Sequence, residues 1–422
     1  MKTFSNIGSL LRQPGFVFRS LKYRNYRYYF LGQLISLPGN WIQNIALSWL
    51  VYRLTGSAFM LGIVGFTSQI PALVLTPVAG VYADRLNRRK VLILTQSISA
   101  GIALVMAGLT LTGAIRIWHI LAAALLNGVT VAFDTPFRHA FVVEMVTEKQ
   151  DLPNAIALNS TLFNTARFIG PPVGGFLIAI AGEGICFLIN GLSYLAVIGT
   201  LAAMKIQTLT FVHKGKSVLS DLASGFRYSW QTLPIRYLLL MVITTSLLGL
   251  PYQVFMPVYA SDVLGGGAQT LGFLNGAIGA GALGGAFFLA SRKELRNFPR
   301  MVFLFALISS LGLMAFSHSG YLALSLMLLV VTGFGMIAEF NASNTLLQTV
   351  VDDGMRGRVV AFYSMSFMGI QPLGSLALGS IAEWAGIQST LLVSGTLCLL
   401  AALVFSRKTN IISESLNRNE AQ

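Results

Sequence analysis

The sequence has few charged residues for its length. Of its 422 residues only 10% are charged, whereas a soluble domain carries about 25%. Hydrophobic residues make up 55%, and the mean hydropathy is +0.70. So little charge cannot cover a surface that faces water, which excludes a soluble globular protein. The composition predicts a polytopic membrane protein, and helices are expected because lipid offers backbone polar groups no other partners.

Residues that serve catalysis and metal binding are also scarce. The two cysteines, Cys186 and Cys398, lie in apolar runs in different halves of the chain, and the four histidines are scattered. A disulfide framework or a metal site is therefore not expected. The sequence contains no Ser-His-Asp arrangement, no pair of catalytic acids and no phosphate-binding loop. We predict neither an enzyme nor an ATP-driven pump, and we expect no cofactor.

Acidic residues are outnumbered by basic ones, 15 to 29, and the positions of the basic residues indicate a topology. At about 20 apolar residues per span, the chain predicts twelve spans. All but three of the basic residues then fall on one side of the membrane; Arg53 and Arg116 fall on the other, and Arg167 lies inside a span. Because positive loops stay in the cytoplasm, both termini are predicted to be cytoplasmic. The same distribution explains the net charge of +14 without nucleic-acid binding.

The spans divide into two groups of six joined by a polar linker. The predicted spans are 27–52, 58–82, 90–112, 117–138, 153–181, 184–204, 234–260, 269–291, 300–317, 320–345, 358–383 and 387–406. The predicted divisions are an N-terminal tail (1–26), a first bundle (27–204), a linker (205–233), a second bundle (234–406) and a C-terminal tail (407–422). A repeat at an offset of 204 residues, which pairs Gly182 with Gly386, supports duplicated bundles. The predicted fold class is all-α, with twelve transmembrane helices in two pseudo-symmetric six-helix bundles.

The loop between spans 2 and 3 contains a dense group of charges. It reads Gly80-Val-Tyr-Ala-Asp84-Arg85-Leu-Asn-Arg88-Arg89-Lys90. A tight basic loop between two membrane-length segments is typical of the cytoplasmic side. The pattern Gly-x-x-x-Asp-Arg-x-x-Arg-Arg resembles the loop between helices 2 and 3 of the major facilitator superfamily. The resemblance covers nearly the whole chain and implies the major facilitator fold.

In that superfamily the Asp of this loop contacts the other half, and the following Arg pairs with an acid at the end of helix 4. The resemblance therefore implies a conformational latch made by Gly80, Asp84, Arg85 and Arg88, with Asp134 as the acid on span 4. Such a latch closes the cytoplasmic side and weakens when a carboxylate takes up a proton. The alternative is that the loop only sets topology and assists folding.

Span 5 contains Gly170-Pro171-Pro172-Val173-Gly174-Gly175. This run resembles the Gly-Pro-x-x-Gly-Gly motif of drug–proton exporters in the superfamily, although two upstream glycine positions are alanine here. Its small residues give a flat, bendable helix face against which another helix slides, and packing alone is the alternative. The stretch 23–57 resembles the branch that contains enterobactin-type siderophore exporters and macrolide efflux pumps.

Four charged residues within the spans are singled out, because charge inside a membrane is costly and is usually functional or paired. Asp134 and Arg138 are four residues apart on span 4 and are expected to form an ion pair, with a purely structural role as the alternative. Arg167 has no partner on its own helix and is expected to meet an anionic substrate or an acid on span 4. Glu339, on span 10, is expected to bind the coupling proton.

Polar and aromatic residues on several spans are predicted to line a moderately polar central cavity. They are Gln33, Asn40, Asn44, Asn127, Tyr252, Gln253, Asn341, Asn344, Tyr363 and Gln371. For each residue taken alone, a hydrogen bond between helices is the alternative.

With the resemblance, these features predict a proton-coupled secondary active exporter that works by alternating access. Its substrate is expected to be an amphipathic small molecule, a siderophore or a drug, and its other partners to be protons and membrane lipids. We expect a monomer in a bacterial inner membrane. Two alternatives stay open: a transporter of lipid-like molecules such as lysophospholipids, and a non-transporting membrane scaffold or sensor.

Overall fold

The first half of the chain folds into long helices. The computed structural model describes residues 18–83, 85–204, 218–292, 297–352 and 354–420. The helices of the first half are α1 (Arg24–Thr55), α2 (Ala58–Ala83), α3 (Arg88–Leu111), α4 (Ile117–Met145) and a helical stretch over Leu152–Ala203. This last stretch bends at Gly182, whose φ of +78° divides it into α5 (152–181) and α6 (183–203).

The second half repeats this pattern with additional short helices. Its helices are α7 (Val218–Gln231), α8 (Leu233–Val263), α9 (Ala268–Ala290), α10 (Phe298–Ser317), α11 (Leu322–Val350), α12 (Arg356–Ala385), α13 (Ile387–Ser406) and α14 (Thr409–Glu420). The break between α12 and α13 falls at Gly386, with φ of +79°. Gly182 and Gly386, which the sequence repeat pairs, therefore share a backbone conformation that glycine adopts without steric cost.

Two helices of the second half are irregular. Within α8, π-helical turns at Thr245–Gly249 and Tyr259–Val263 flank a 3-10 stretch at Leu250–Phe255. Within α12, a π-helical turn lies at Met365–Gly369, directly before Gln371–Ala385. Prolines at positions 251, 257 and 372 lack the amide donor of a regular α-helix, which favours these departures. Such turns are frequent at functional sites.

Ten of the described stretches are long and apolar enough to cross a membrane. One of them is the bent stretch that forms α5 and α6, and α1, which is rich in polar side chains, is not among them. The prediction of an all-helical membrane protein is confirmed. The predicted span 4 (117–138) lies within α4, which continues beyond it to Met145. Arg138, at the predicted end of that span, pairs with Asp134 inside the helix, as expected.

The helices pack as neighbours within each half and across two seams. We call the side where α1 begins and α2 ends the terminal face, and the opposite side, where α1 ends and α2 begins, the distal face. In the first half α1 packs along the α5–α6 stretch and α2 along α4; in the second half α11 packs between α9 and α10. The two halves meet where α2 lies against α12 and where α5 lies against α9.

Two short helices cover the second half at the terminal face. The α7 helix packs on the start of α12: Phe226 lies 6.0 Å from Phe362 between ring centroids, and the Tyr228 hydroxyl donates to Asp352 at 2.9 Å. In α14, Ile412 and Leu416 are buried against the second half.

Candidate functional site

At the distal face the two halves approach backbone to backbone. A Cβ added to Gly62 of α2 would lie 2.5 Å from the carbonyl oxygen of Ser375 on α12. On the other seam, a Cβ added to Gly272 of α9 would lie 2.7 Å from the carbonyl oxygen of Pro171 on α5. Small residues let helices come this close. The structure is therefore closed on the distal face.

The motif of span 5 contributes to this closure on two sides. Gly170 and Gly174 face α1, where an added Cβ would lie 2.5 Å from the Trp41 side chain and 3.1 Å from Ile42. Gly175 faces α9, where an added Cβ would lie 2.9 Å from the Cα of Gly272. The motif thus packs α5 against its own half and against the other half at once.

Nearer the terminal face the described glycines of these helices make no such close approach across the seams. Tyr82 of α2, Ile156 of α5, Phe287 of α9 and Met365 of α12 are all exposed. A Cβ added to Gly80 would meet nothing within 4 Å. The halves therefore diverge from the middle of the structure toward the terminal face.

Substituting Gly62 tests whether this seam governs the closed state. Gly62→Ala places a methyl group against backbone that cannot rotate away, so we expect the closed population to fall severalfold. Gly65→Ala is the matched control one turn along α2, because its Cβ would lie no closer than 3.6 Å to its neighbours. The measurement is the distance between spin labels on the two distal rims. Equal effects of the two substitutions would contradict the prediction.

Arg167 lies midway along α5, where the halves begin to diverge. Its guanidinium carbon lies 5.9 Å from the centroid of the Trp41 ring on α1, which is within cation–π range. Tyr252, fully buried on α8, is close enough to interact electrostatically with it. No described residue accepts a hydrogen bond from Arg167 or pairs with it as an acid. The expectation of an acid partner on span 4 is wrong, because Asp134 is engaged by Arg138.

The aromatic surroundings of Arg167 were missed by sequence reasoning. Trp41 meets Phe163 of α5 edge to face, with ring centroids 5.8 Å apart. Together with Tyr252 these rings place a cation among large apolar surfaces at a boundary between the halves. The sequence did indicate one of these neighbours, since Phe163 and Arg167 are four residues apart and so lie on the same face of one helix. An arginine with aromatic neighbours and no acid suits the charged end of an amphipathic anion.

Asp134 and Arg138 form the expected ion pair and join it to two other helices. Asp134 also accepts hydrogen bonds from Thr95 at 2.9 Å and Gln96 at 2.7 Å on α3, while Arg138 donates to Gln33 on α1 at 3.1 Å. Asp134, Gln33 and both α3 residues are buried. The pair therefore connects α1, α3 and α4 inside the first half.

The latch prediction is corrected in one respect. Arg88 pairs with Glu144 on α4 at 2.7 Å and not with Asp134. The Arg88 side chain also donates to the carbonyl oxygen of Ala83 at 2.8 Å, which holds it beside the end of α2. Asp84 lies outside the described residues, so its predicted contact with the other half stays a prediction. Gly80 and the exposed Arg85 stand at the open terminal face.

Glu339 is fully enclosed in the second half. Its exposed fraction is 0%, and one carboxylate oxygen accepts a hydrogen bond from Thr245, in the first π-helical turn of α8, at 2.7 Å. The other oxygen has no partner among the described residues, and neither has the buried hydroxyl of Ser343 one turn along α11. A charged carboxylate without a cation beside it is costly in such a place. Glu339 is therefore suited to binding a proton. It lies in the second half, whereas Arg167 lies in the first half.

The residues predicted to line the cavity fall into different surroundings. Asn40 accepts a hydrogen bond from Tyr194 at 2.6 Å, and Tyr363 donates to the carbonyl oxygen of Phe340 at 2.8 Å, so both join helices within one half. Asn344 accepts a hydrogen bond from Gln348 on the same helix. Asn44 and Asn341 are exposed, and Asn127, Gln253 and Gln371 are half-buried. For these five, a role in the cavity stays a prediction.

Comparison with known proteins identifies relatives along the whole chain. A family model described as transmembrane secretion effector matches residues 17–420. The chain is 27% identical to the staphyloferrin A transporter of Staphylococcus aureus, over 93% of this chain and 98% of that protein. It is 27% identical to the multidrug efflux pump Tap of Mycolicibacterium fortuitum, over 88% and 92%. It is 22% identical to macrolide efflux protein A of Streptococcus pyogenes, over 91% and 96%.

A comparison of folds gives a concordant result. The structure matches that of a bacterial homologue of the human lysosomal transporter Spinster with a TM-score of 0.69 and 14% identity, covering 94% of this chain and 98% of that one. At this identity the likeness shows the arrangement of helices alone. Two of the sequence relatives named above are efflux proteins by name, which agrees with the resemblance carried by the 2–3 loop and span 5.

Proposed function

The chain belongs to the transmembrane secretion effector family of major facilitator transporters, and on that premise we propose that it exports an amphipathic anion in exchange for protons. It is a multi-pass membrane transporter and not an enzyme, as predicted. The observation that carries the proposal is Arg167, a cation halfway through the membrane that lies against Trp41 and has no acid partner among the described residues. The efflux proteins among the relatives of this chain support export as the direction of transport.

The proposed architecture is twelve membrane crossings in two pseudo-symmetric six-helix bundles, with α7 in the linker between them. The distribution of basic residues favours a cytoplasmic terminal face and an external distal face. The seams at α2–α12 and α5–α9 are the surfaces along which the bundles rock. The described state then opens toward the cytoplasm, from which an exporter takes its substrate. We propose that a single copy is the working unit in a bacterial inner membrane.

The substrate class follows from the surroundings of Arg167. A guanidinium binds carboxylate or phosphate oxygens through paired hydrogen bonds, and the rings beside it offer apolar contact. The favoured substrate therefore combines an acidic group with an apolar or aromatic body, as siderophore-type molecules do. A drug that carries only positive charge would be repelled. Export of such an anion leaves the arginine free to be bound again in the next cycle.

Proton coupling is assigned to acids inside the two halves. Glu339 is the proposed proton-binding residue, since an enclosed carboxylate without a cation is least costly when neutral. The Asp134–Arg138 pair holds α1, α3 and α4 together beside the substrate path. The latch of the 2–3 loop, in which Arg88 pairs with Glu144, is proposed to close the terminal face when the bundles rock.

Uptake into inside-out membrane vesicles tests the proposal. An iron-free carboxylate siderophore and a cationic lipophilic dye are each offered with and without a protonophore, and a fluorescent lysophospholipid serves as a third probe. We expect accumulation of the siderophore that the protonophore abolishes, and little accumulation of the dye. Vesicles without the protein provide the background.

Three other uptake results would each contradict a different part of the proposal. Accumulation of the dye but not the siderophore would remove the anion preference. Accumulation of the lysophospholipid alone would favour a lipid-like substrate. Siderophore uptake that ignores the protonophore would contradict proton coupling while leaving export in place.

A further inference from the structure

Hydrogen bonds between the two halves at the distal face converge on two carboxylates. The Tyr52 hydroxyl, near the end of α1, donates to Asp262 of α8 and lies 2.6 Å from each carboxylate oxygen. The Ser57 hydroxyl and the Phe59 amide, at the start of α2, donate to the same oxygen of Glu383 on α12, at 3.0 and 3.1 Å. The donors all belong to the first half and the acceptors to the second. We call these two carboxylates and their donors the distal clasp.

Glu383 acts as a cap for a helix of the other half. The first amides of a helix have no partner within it, and the helix dipole favours a negative charge at that end. Phe59 is the second residue of α2, and its amide finds its acceptor on Glu383. The bond is therefore a charge-assisted one whose strength depends on the carboxylate being ionised.

Both carboxylates face one solvent-accessible cavity. It has a volume of about 380 Å³ and is lined by Gly56, Asp262, Glu383, Gln388 and Ser389 among others. Glu383, Gln388 and Ser389 are exposed, so water and protons on the distal side reach it. No lysine, arginine or histidine is among its lining residues.

The charged and titratable groups around the clasp come from four helices. On α1 they are Tyr52 and Arg53, on α6 Glu183, on α8 Asp262 and on α12 Glu383. Arg53 is bound to Glu183 at 2.7 Å within the first half, so it does not neutralise the clasp. Hydroxyl and amide donors, not a cation, therefore hold the two carboxylates.

We propose that the distal clasp is a proton-operated gate. In their ionised form Asp262 and Glu383 hold the halves together; protonation from the distal side removes the charge that strengthens three hydrogen-bond contacts, one of which is the helix cap. Closure is thus strongest at neutral pH and is lost as the distal pH falls. This inference rests on the proposed exchange of substrate for protons, because it places a second proton-binding site on the side from which the protons enter. The clasp is separate from Glu339, which lies inside the second half.

The test is a spin-label distance measurement on the purified full-length protein in lipid nanodiscs without substrate. Labels are attached at Thr112→Cys and Tyr321→Cys, exposed positions on the distal rims of the two halves; the native Cys186 and Cys398 are buried. We expect the open population to rise when pH is lowered from about 7.5 to about 3, because ordinary carboxyl groups take up protons around pH 4. In the Asp262→Asn, Glu383→Gln double variant the open-to-closed ratio should rise roughly tenfold at neutral pH and lose its response to acid.

Glu183→Gln is the matched control. It removes an acid from the same face, but one whose partner Arg53 belongs to the same half, so the response to acid should remain that of the unmodified protein. A double variant that stays closed at neutral pH and opens with acid as the unmodified protein does would overturn the gate. Because the distances are measured without transport, a failure of vesicle uptake with an intact acid response would contradict the proposed function and leave the gate standing.

Discussion

Arg167→Ala is expected to lower the affinity for an anionic substrate by roughly 100-fold, because a charge-assisted contact in a desolvated site is lost. Arg167→Lys keeps the charge but not the paired hydrogen bonds, so it should retain part of the affinity. The measurement is binding of an iron-free carboxylate siderophore to the purified protein, together with its uptake into vesicles. The order expected is arginine, then lysine, then alanine.

The reason for so large an effect lies in what surrounds the side chain. With no acid beside it among the described residues, Arg167 has its donors available to a ligand, and the Trp41 face 5.9 Å away holds the guanidinium without neutralising it. An arginine used for structure would have its donors engaged, as Arg88 does with Glu144.

Two controls make the result specific to Arg167. Arg116→Ala removes an exposed arginine at the distal face, outside the site, and should leave affinity unchanged. Trp41→Leu removes the ring and should weaken binding less than loss of the charge. Equal affinity in the arginine, lysine and alanine forms, with normal folding, would make Arg167 a structural residue.

Glu339→Gln is expected to abolish uptake driven by a pH gradient while sparing exchange of labelled for unlabelled substrate. Glutamine keeps the size and can still accept the hydrogen bond from Thr245, but it neither binds nor releases a proton. The protein should therefore still alternate between its states with substrate bound, yet accumulate nothing against a gradient. The measurement is uptake and exchange in the same proteoliposomes.

Glu183→Gln is again a suitable comparison, since Glu183 is a buried acid with a cation partner at the distal face. It should keep uptake driven by a pH gradient. If Glu339→Gln accumulated substrate as the unmodified protein does, the coupling proton would have to be carried elsewhere. A variant that lost exchange as well would instead place Glu339 in the conformational change itself.

The helices were predictable because a membrane imposes a length and a composition on each crossing. The sequence repeat likewise predicted equivalent positions, and Gly182 and Gly386 indeed share the same left-handed backbone. The ends of the helices were less predictable where a charge lies inside a helix. Arg138 was taken as the exit of span 4, although its pairing with Asp134 allows α4 to continue to Met145.

The predicted partner of Arg88 differs from the observed one because α4 extends beyond the predicted span. At 1.5 Å per residue, Asp134 lies about 15 Å along α4 from Glu144, too deep to be reached from the start of α3. The predicted end of span 4 at residue 138 placed Asp134 near the membrane boundary, beside the 2–3 loop. Because α4 extends to Met145, Glu144 and not Asp134 lies beside Arg88 at the start of α3.

Contacts between the halves could not be predicted from sequence patterns. Ser57 and Glu383 are joined although they are 326 residues apart, and neither belongs to a periodic pattern or a motif. The meeting of Trp41 with Arg167 likewise depends on how α1 packs against α5. Arg167 itself was conspicuous, because an arginine inside an apolar run is rare. Its aromatic neighbours became visible only in three dimensions.

The π-helical turns of α8 and α12 give the second half a means of movement that the described helices of the first half do not show. A π turn holds one more residue than a regular turn, and that surplus can pass along a helix by exchanging one backbone hydrogen bond at a time. Each such step rotates the side chains it passes by about 100° without melting the helix. Thr245, the donor to Glu339, begins one of these turns. Under the proposed role of Glu339, gain or loss of its proton changes the hydrogen bond to Thr245 and so acts on the first residue of this turn.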